Sequence, residues 1–128
     1  LAVRKVIKDA QKSWVQRNKK HCVVEGRDSH LIFPGAFVKF YLKTNLNTAA
    51  LRRFKELKRK KRKITLKKVK SDLRIRDYSD TTRRFGRLIL SKDHVVIRTT
   101  FLSKKLVRAK MLKEIDKRLT LKYGTNTR

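Results

Sequence analysis

Three groups of residues in this sequence have the types and spacing for chemistry with phosphates. The first is Lys58-Arg59-Lys60-Lys61-Arg62-Lys63, six cations in succession, set in a stretch (29–71) with 14 Lys or Arg against one acid, Glu56. Acids at i,i+4 normally temper such a run on a helix. Without them like charges repel unless an external anion neutralises them. Arg52, Arg53, Lys55 and the run 58–63 are therefore expected to neutralise nucleic-acid phosphates, with Lys67, Lys68, Lys70, Arg83, Arg84 and Arg87 as secondary contacts. Such contacts give affinity and salt dependence rather than sequence specificity. The second group is Gly26-Arg27-Asp28, and the third is Arg76-Asp77 followed by Asp80 and Arg83. Guanidiniums spaced among carboxylates either grip phosphates in bidentate fashion or close into ion pairs that hold one element on another.

Other chemistries find no support. His21, His30 and His94 have no thiols or carboxylates at ligand spacing, so no metal site is expected. No Ser-His-Asp or Cys-His arrangement follows from spacing, and no catalytic residue is assigned. The single cysteine gives neither a disulfide framework nor a zinc set.

The elements that must position these groups centre on residues 22–42. Residues 22–25 read as a short buried strand containing Cys22, followed by the Gly-Arg-Asp corner, a loop closed by Phe33-Pro34-Gly35 and a second strand at 37–42. Before them, Val3, Val6, Ile7, Ala10 and Trp14 form one apolar stripe of a helix. Trp14 is read as core, although its ring could stack on a base; a basic linker, 16–20, follows. After the second strand, Asn45 or Asn47 caps a helix carrying Ala50, Leu51, Phe54 and Leu57, and Thr65 caps another carrying Leu66, Val69 and Leu73. Residues 88–90 make an apolar connector and 94–97 a third strand. Ser103 caps a final helix with Val107, Met111 and Ile115 on one side and Leu112 and Leu119 beside them. Residues 123–128 read as a frayed basic tail.

Composition narrows the function classes. With 128 residues the chain is expected to form one small domain, 1–122, with a basic helical hairpin at about 47–84. A net charge of +28 disfavours an ordinary soluble enzyme and favours a polyanionic partner. A hydrophobic content of 39% excludes a merely disordered basic tail. No apolar run reaches the length of a membrane span, and a basic module for anionic membranes ranks last among the readings. No secretory signal is visible, and a chain opening at Leu1 reads as a processed product or a portion of a longer one.

Several motifs, taken in order, resemble bacterial cytidylate kinase. Val23-Val24-Glu25-Gly26-Arg27-Asp28, Ile32-Phe33-Pro34 and Val38-Lys39-Phe40-Tyr41-Leu42 resemble its core. Arg52-Arg53-Phe54-Lys55-Glu56-Leu57 resembles its lid helix, and Arg76-Asp77 with Asp80 and Arg83 its second arginine-rich motif. Val95-Val96-Ile97, Thr99-Thr100 and Leu102-Ser103 resemble its last strand and helix start, so the likeness covers about residues 3–119. The resemblance implies an α/β fold: a truncated nucleoside-monophosphate-kinase-like core, with a short parallel sheet flanked by helices and a basic hairpin derived from the lid. It also implies that Arg27, Asp28, Arg76, Asp80 and Arg83 descend from positions lining a nucleotide site; without a donor site we read these, with Asp77, as an ion-pair network, with nucleotide contact as the alternative.

The departures from the family pattern shape the functional expectation. No G-x-x-x-x-G-K-[ST] is present, the glycines standing at 26, 35, 86 and 124. A kinase of this fold needs such a loop around its donor phosphates. Ala49 replaces a lid arginine, Ser79 stands where an arginine is frequent, and residues 28–31 lack a glycine; Arg87, Arg98 and Phe101 also depart from the pattern. The expectation is therefore a non-catalytic, cofactor-free remnant. It would serve as an RNA-binding structural protein of a mitochondrial or other organellar ribosome, with rRNA and neighbouring ribosomal proteins as partners. The alternative is one half of a split cytidylate kinase that phosphorylates CMP or dCMP with a partner chain bringing the phosphate loop and the acceptor-binding domain, both of which this chain lacks. The resemblance places the missing phosphate-loop strand between strands 22–25 and 37–42. One of three outcomes is expected: another polypeptide fills that gap, the two strands pair directly, or a preceding portion of the chain supplies the strand.

Overall fold

A computed structural model of the protein describes residues 2–18 and 21–124. Its elements, in chain order, are α1 (Ala2–Arg17), α2 (Ser29–Ile32), β1 (Lys39–Lys43), α3 (Leu46–Arg59), α4 (Leu66–Thr82), β2 (His94–Arg98) and α5 (Lys104–Tyr123). The fold is α/β, with a two-stranded parallel sheet and five helices among the described residues. The chain divides into two compact units: Leu1–Phe37 with Ser79–Ile89, and Val38–Tyr78 with Leu90–Arg128.

The second unit holds the sheet. β1 and β2 run parallel in the register Lys39 to His94 through Lys43 to Arg98, so both begin and end together. Local chemistry sets the helix starts. Asn45 caps α3 by accepting from Thr48 N at 2.8 Å, which decides between the two candidate asparagines. Thr65 accepts from Lys68 N at 3.2 Å, and Ser103 from Leu106 N at 3.2 Å. Ala50, Leu57 and Val69 bury a small core between α3 and α4, with Phe54, Ile64 and Leu73 packed on it. The cationic run 58–63 is not continuous helix. α3 ends in a turn in which Lys61 N bonds Lys58 O at 2.9 Å and Arg62 N bonds Leu57 O at 3.0 Å. Lys61 takes the left-handed conformation (φ 56°) usually left to glycine there. On α5, Val107, Met111 and Ile115 are half-buried, while Leu112 and Leu119 are exposed.

The first unit departs most from expectation. α1 forms, but its apolar stripe is not core: Val3, Val6, Ile7 and Trp14 are exposed, Trp14 at 49%. Residues 22–25 belong to no strand, Val23 is 90% exposed and Cys22 is exposed rather than buried. A strand exists only through its ladder, and β1's partner among the described residues is β2. Residues 22–25 accordingly form no strand among the described residues. Residues 19–20 of the expected linker and 125–128 of the expected tail lie outside the described residues.

Candidate functional site

Two of the charged groups come together in the first unit around Asp80. Its side chain is 7% exposed, and it forms ion pairs with both Arg27 and Arg83. Arg83 Nη1 donates to Asp80 Oδ1 at 2.7 Å, and Arg27 Nη1 donates to Oδ2. Arg83 also donates from Nε to Gly86 O at 2.6 Å, and Leu88 N bonds Asp80 O at 2.8 Å. These bonds fold the chain beyond α4 back over its last turn. Gly86 is held at φ 63°, and a Cβ there would meet Asp28 Oδ2 at 2.8 Å and Arg4 Nη1 at 3.1 Å. A side chain on residue 86 would therefore displace both.

The cluster thus brings Arg4, Arg27 and Arg83 near Asp28 and Asp80 in one unit. Charge-assisted bonds to a buried carboxylate hold Arg27 and Arg83 in fixed geometry, as recognition of a planar or tetrahedral anion requires. Arg4 was not among the residues expected at the site. Its signal was there: it lies on α1 in the segment that precedes the Gly-Arg-Asp corner. Arg76 and Asp77 are exposed on α4, about one turn before Asp80.

The cations expected to form one phosphate-binding hairpin divide between the two units. Arg83, Arg84 and Arg87 belong to the first unit. There Arg83 is committed to Asp80, Arg84 lies over the Phe85 ring at 5.3 Å and Arg87 Nε bonds Arg83 O at 3.2 Å. The others belong to the second. Arg53 and Lys60 both pair with Glu56 at 2.9 Å, and these bonds, Lys60's first, lower the Glu56 carboxyl from 4.5 to about 2. Lys68 pairs with Asp72 at 2.8 Å, Lys58 lies over the Phe54 ring at 5.4 Å, and Arg52 is engaged with main-chain carbonyls. Lys55, Arg59, Lys61, Arg62, Lys63 and Lys67 are exposed and Lys70 is half-buried.

The turn entering β2 assembles Ser91, Asp93 and His94, which spacing alone could not join. Ser91 N and Oγ lie 3.1 and 2.8 Å from His94 Nδ1, and Asp93 Oδ1 lies 3.5 Å from the same nitrogen. A catalytic triad needs serine and aspartate on opposite ring nitrogens, so this arrangement closes a turn and is not a nucleophile. Lys39 and Ser91 bond the Asp93 carboxylate and lower it from 3.8 to about 2. Among the described residues no group of three or more His, Cys, Asp or Glu is placed to hold a metal ion, and no helix is long and apolar enough to cross a membrane.

Sequence comparison supplies the context for this geometry. A family model described as cytidylate kinase matches residues 1–117. A cytidylate kinase of Mycoplasmoides gallisepticum is 34% identical over 108 residues, covering 84% of this chain and 48% of the relative. One from Coxiella burnetii is 33% identical over 117 residues, covering 91% of this chain and 48% of the relative. One from Clostridium tetani is 33% identical over 129 residues, covering the whole chain and 56% of the relative. The chain thus spans about half the length of the curated relatives it matches.

These matches overturn the ribosomal expectation. The relatives reported are named as cytidylate kinases, and none of them is named as a ribosomal, mitochondrial or RNA-binding protein. High net charge misled because charge density reports a preference for anions and leaves open whether the anion is a polymer or a nucleotide. The expectation of a non-enzyme falls for the same reason, since the relatives are named for an enzymatic activity. Over nearly its full length, the chain belongs to the cytidylate kinase family.

Proposed function

We propose that this chain forms one half of a split cytidylate kinase, contributing arginines to the nucleotide site while the other half carries the acceptor-binding domain. It would work in phosphoryl transfer to CMP or dCMP together with a polypeptide segment that carries the phosphate-cradling loop and completes the sheet. The observation that carries this reading is the Arg27–Asp80–Arg83 cluster beside Asp28 and Arg4. A nucleoside monophosphate brings a phosphate dianion close to that of the donor, and the arginines offset this charge. Because Asp80 already orients Arg27 and Arg83, little reorganisation is needed when the nucleotide arrives.

Asp28 and Arg4 supply a complementary pair for the base. The cytosine edge presents an amino donor beside ring-nitrogen and carbonyl acceptors. A carboxylate accepts from the first, and a guanidinium donates to the others. Uracil presents a carbonyl where cytosine has the amine, which the Asp28 carboxylate repels. In the transfer step a phosphate oxygen of CMP attacks the terminal phosphorus of the triphosphate. The bond from that phosphorus to the donor's bridging oxygen breaks as the new P–O bond forms, giving two diphosphates.

The test mixes the chain with a phosphate-loop polypeptide taken from the remaining half of a relative and follows CDP formation. Turnover is expected in the mixture only, and Asp28→Asn should narrow the preference for CMP over UMP. Absence of both CDP formation and calorimetric binding of CMP would defeat the reading.

A further inference from the structure

We propose that Arg52 is a positioning residue, which fixes α3 against the turn between β2 and α5 and does not itself contact phosphate. Arg52 lies in the second turn of α3. Its Nη2 donates to Thr99 O at 2.7 Å, Leu102 O at 3.2 Å and Thr100 O at 3.3 Å, while Nη1 donates to Thr99 Oγ1 at 3.3 Å. Three main-chain carbonyls converging on one cation make a site of partial negative charge. They are oxygens at the end of a strand and before the Ser103 cap, where a regular ladder no longer serves them.

The same turn is joined to the β1–α3 connection. Thr99 N bonds Lys43 O at 2.7 Å, Asn45 N bonds Thr100 Oγ1 at 3.1 Å, and the hydroxyls of Thr44 and Thr100 lie 3.3 Å apart. Thr99 is 8% exposed, so its polar atoms depend on these partners. α3 is thereby held both at its cap and about two turns further on. The exposed cations farther along it, Lys55 and Arg59, then keep a fixed place relative to the carboxyl ends of the parallel strands, where open α/β sheets bind ligands. The sequence alone suggests the opposite role for Arg52, a phosphate contact. The geometry instead commits its fork to the protein's own oxygens. Lysine is no substitute, because a single ammonium lacks the planar fork that spans several acceptors.

The activity arm of the test rests on the kinase reading above. Arg52→Lys and Arg52→Ala are each assayed in the two-polypeptide mixture, and amide hydrogen exchange is measured on the full chain alone. Both variants should lower kcat roughly 10- to 100-fold through misplacement, with the KM for CMP within about twofold of the parent. Both should also speed exchange of the Thr99 and Leu102 amides. A raised KM at unchanged kcat, or restoration of kcat by lysine, would identify a direct anion contact and overturn the proposal. If the parent mixture makes no CDP, the kinase reading fails by itself. Exchange then decides: unchanged protection in both variants removes the clamp, and accelerated exchange in both sustains it.

Discussion

Replacing Asp80 with asparagine keeps the shape of the side chain and removes the charge that holds Arg27 and Arg83. The Asp80 side chain is 7% exposed, Arg83 20% and Arg27 31%. Removing one member of a fully buried ion pair costs about 3–5 kcal/mol, because the partner's charge is left uncompensated. Both arginines here retain some access to water and can rehydrate, which lowers the expected loss to about 2–3 kcal/mol. For a chain of this size that corresponds to a fall in Tm of roughly 10 °C. Trp14 is the single tryptophan and belongs to the same compact unit as Asp80, so its fluorescence in a urea titration reports the right transition. Asp80→Asn should move that midpoint down, and adding Arg27→Gln should cost far less in the Asp80→Asn background than in the parent. A loss below about 1 kcal/mol, the range of exposed pairs, would show that Asp80 is not the anchor of the cluster.

Two further substitutions probe other parts of the structure. Gly86→Ala places a methyl group 2.8 Å from Asp28 Oδ2 at a left-handed φ of 63°. It should destabilise the first unit by about 1–2 kcal/mol and weaken CMP binding, read by Trp14 fluorescence and calorimetry; parent-like values for both would contradict the close packing. Glu56 and Asp93 both titrate near 2 instead of their ordinary 4.5 and 3.8, so their contributions to stability are full above those ordinary values and are lost as pH falls toward 2. Carboxyl NMR should place both midpoints near 2, and Lys60→Ala should return Glu56 toward 4.5; an unchanged Glu56 midpoint would refute the Lys60 bond as its main cause.

Much of what depends on neighbours in the chain was legible in the sequence, although the short helix α2 and the Ser91–His94 turn were not. Asn45, Thr65 and Ser103 cap helices because each side chain reaches an amide three residues on. The apolar spacing of Ala50, Leu57 and Val69 marks a core face, and the ordered motifs from Gly26-Arg27-Asp28 to Thr99-Thr100 carry the family. The strands at β1 and β2 were legible to within a residue or two, being β-branched and aromatic runs.

The tertiary structure decided everything that joins distant residues. Arg27 meets Asp80 across 53 positions, and Arg52 meets Thr99 across 47; no local rule tells an arginine held by protein oxygens from one left for a phosphate. Residues 22–25 have strand composition without a strand, since a ladder needs a partner that their own sequence cannot specify. The net charge likewise fixes how strongly anions are attracted. Only the tertiary structure places Arg4, Arg27 and Arg83 around two carboxylates, because these residues come from segments far apart in the chain.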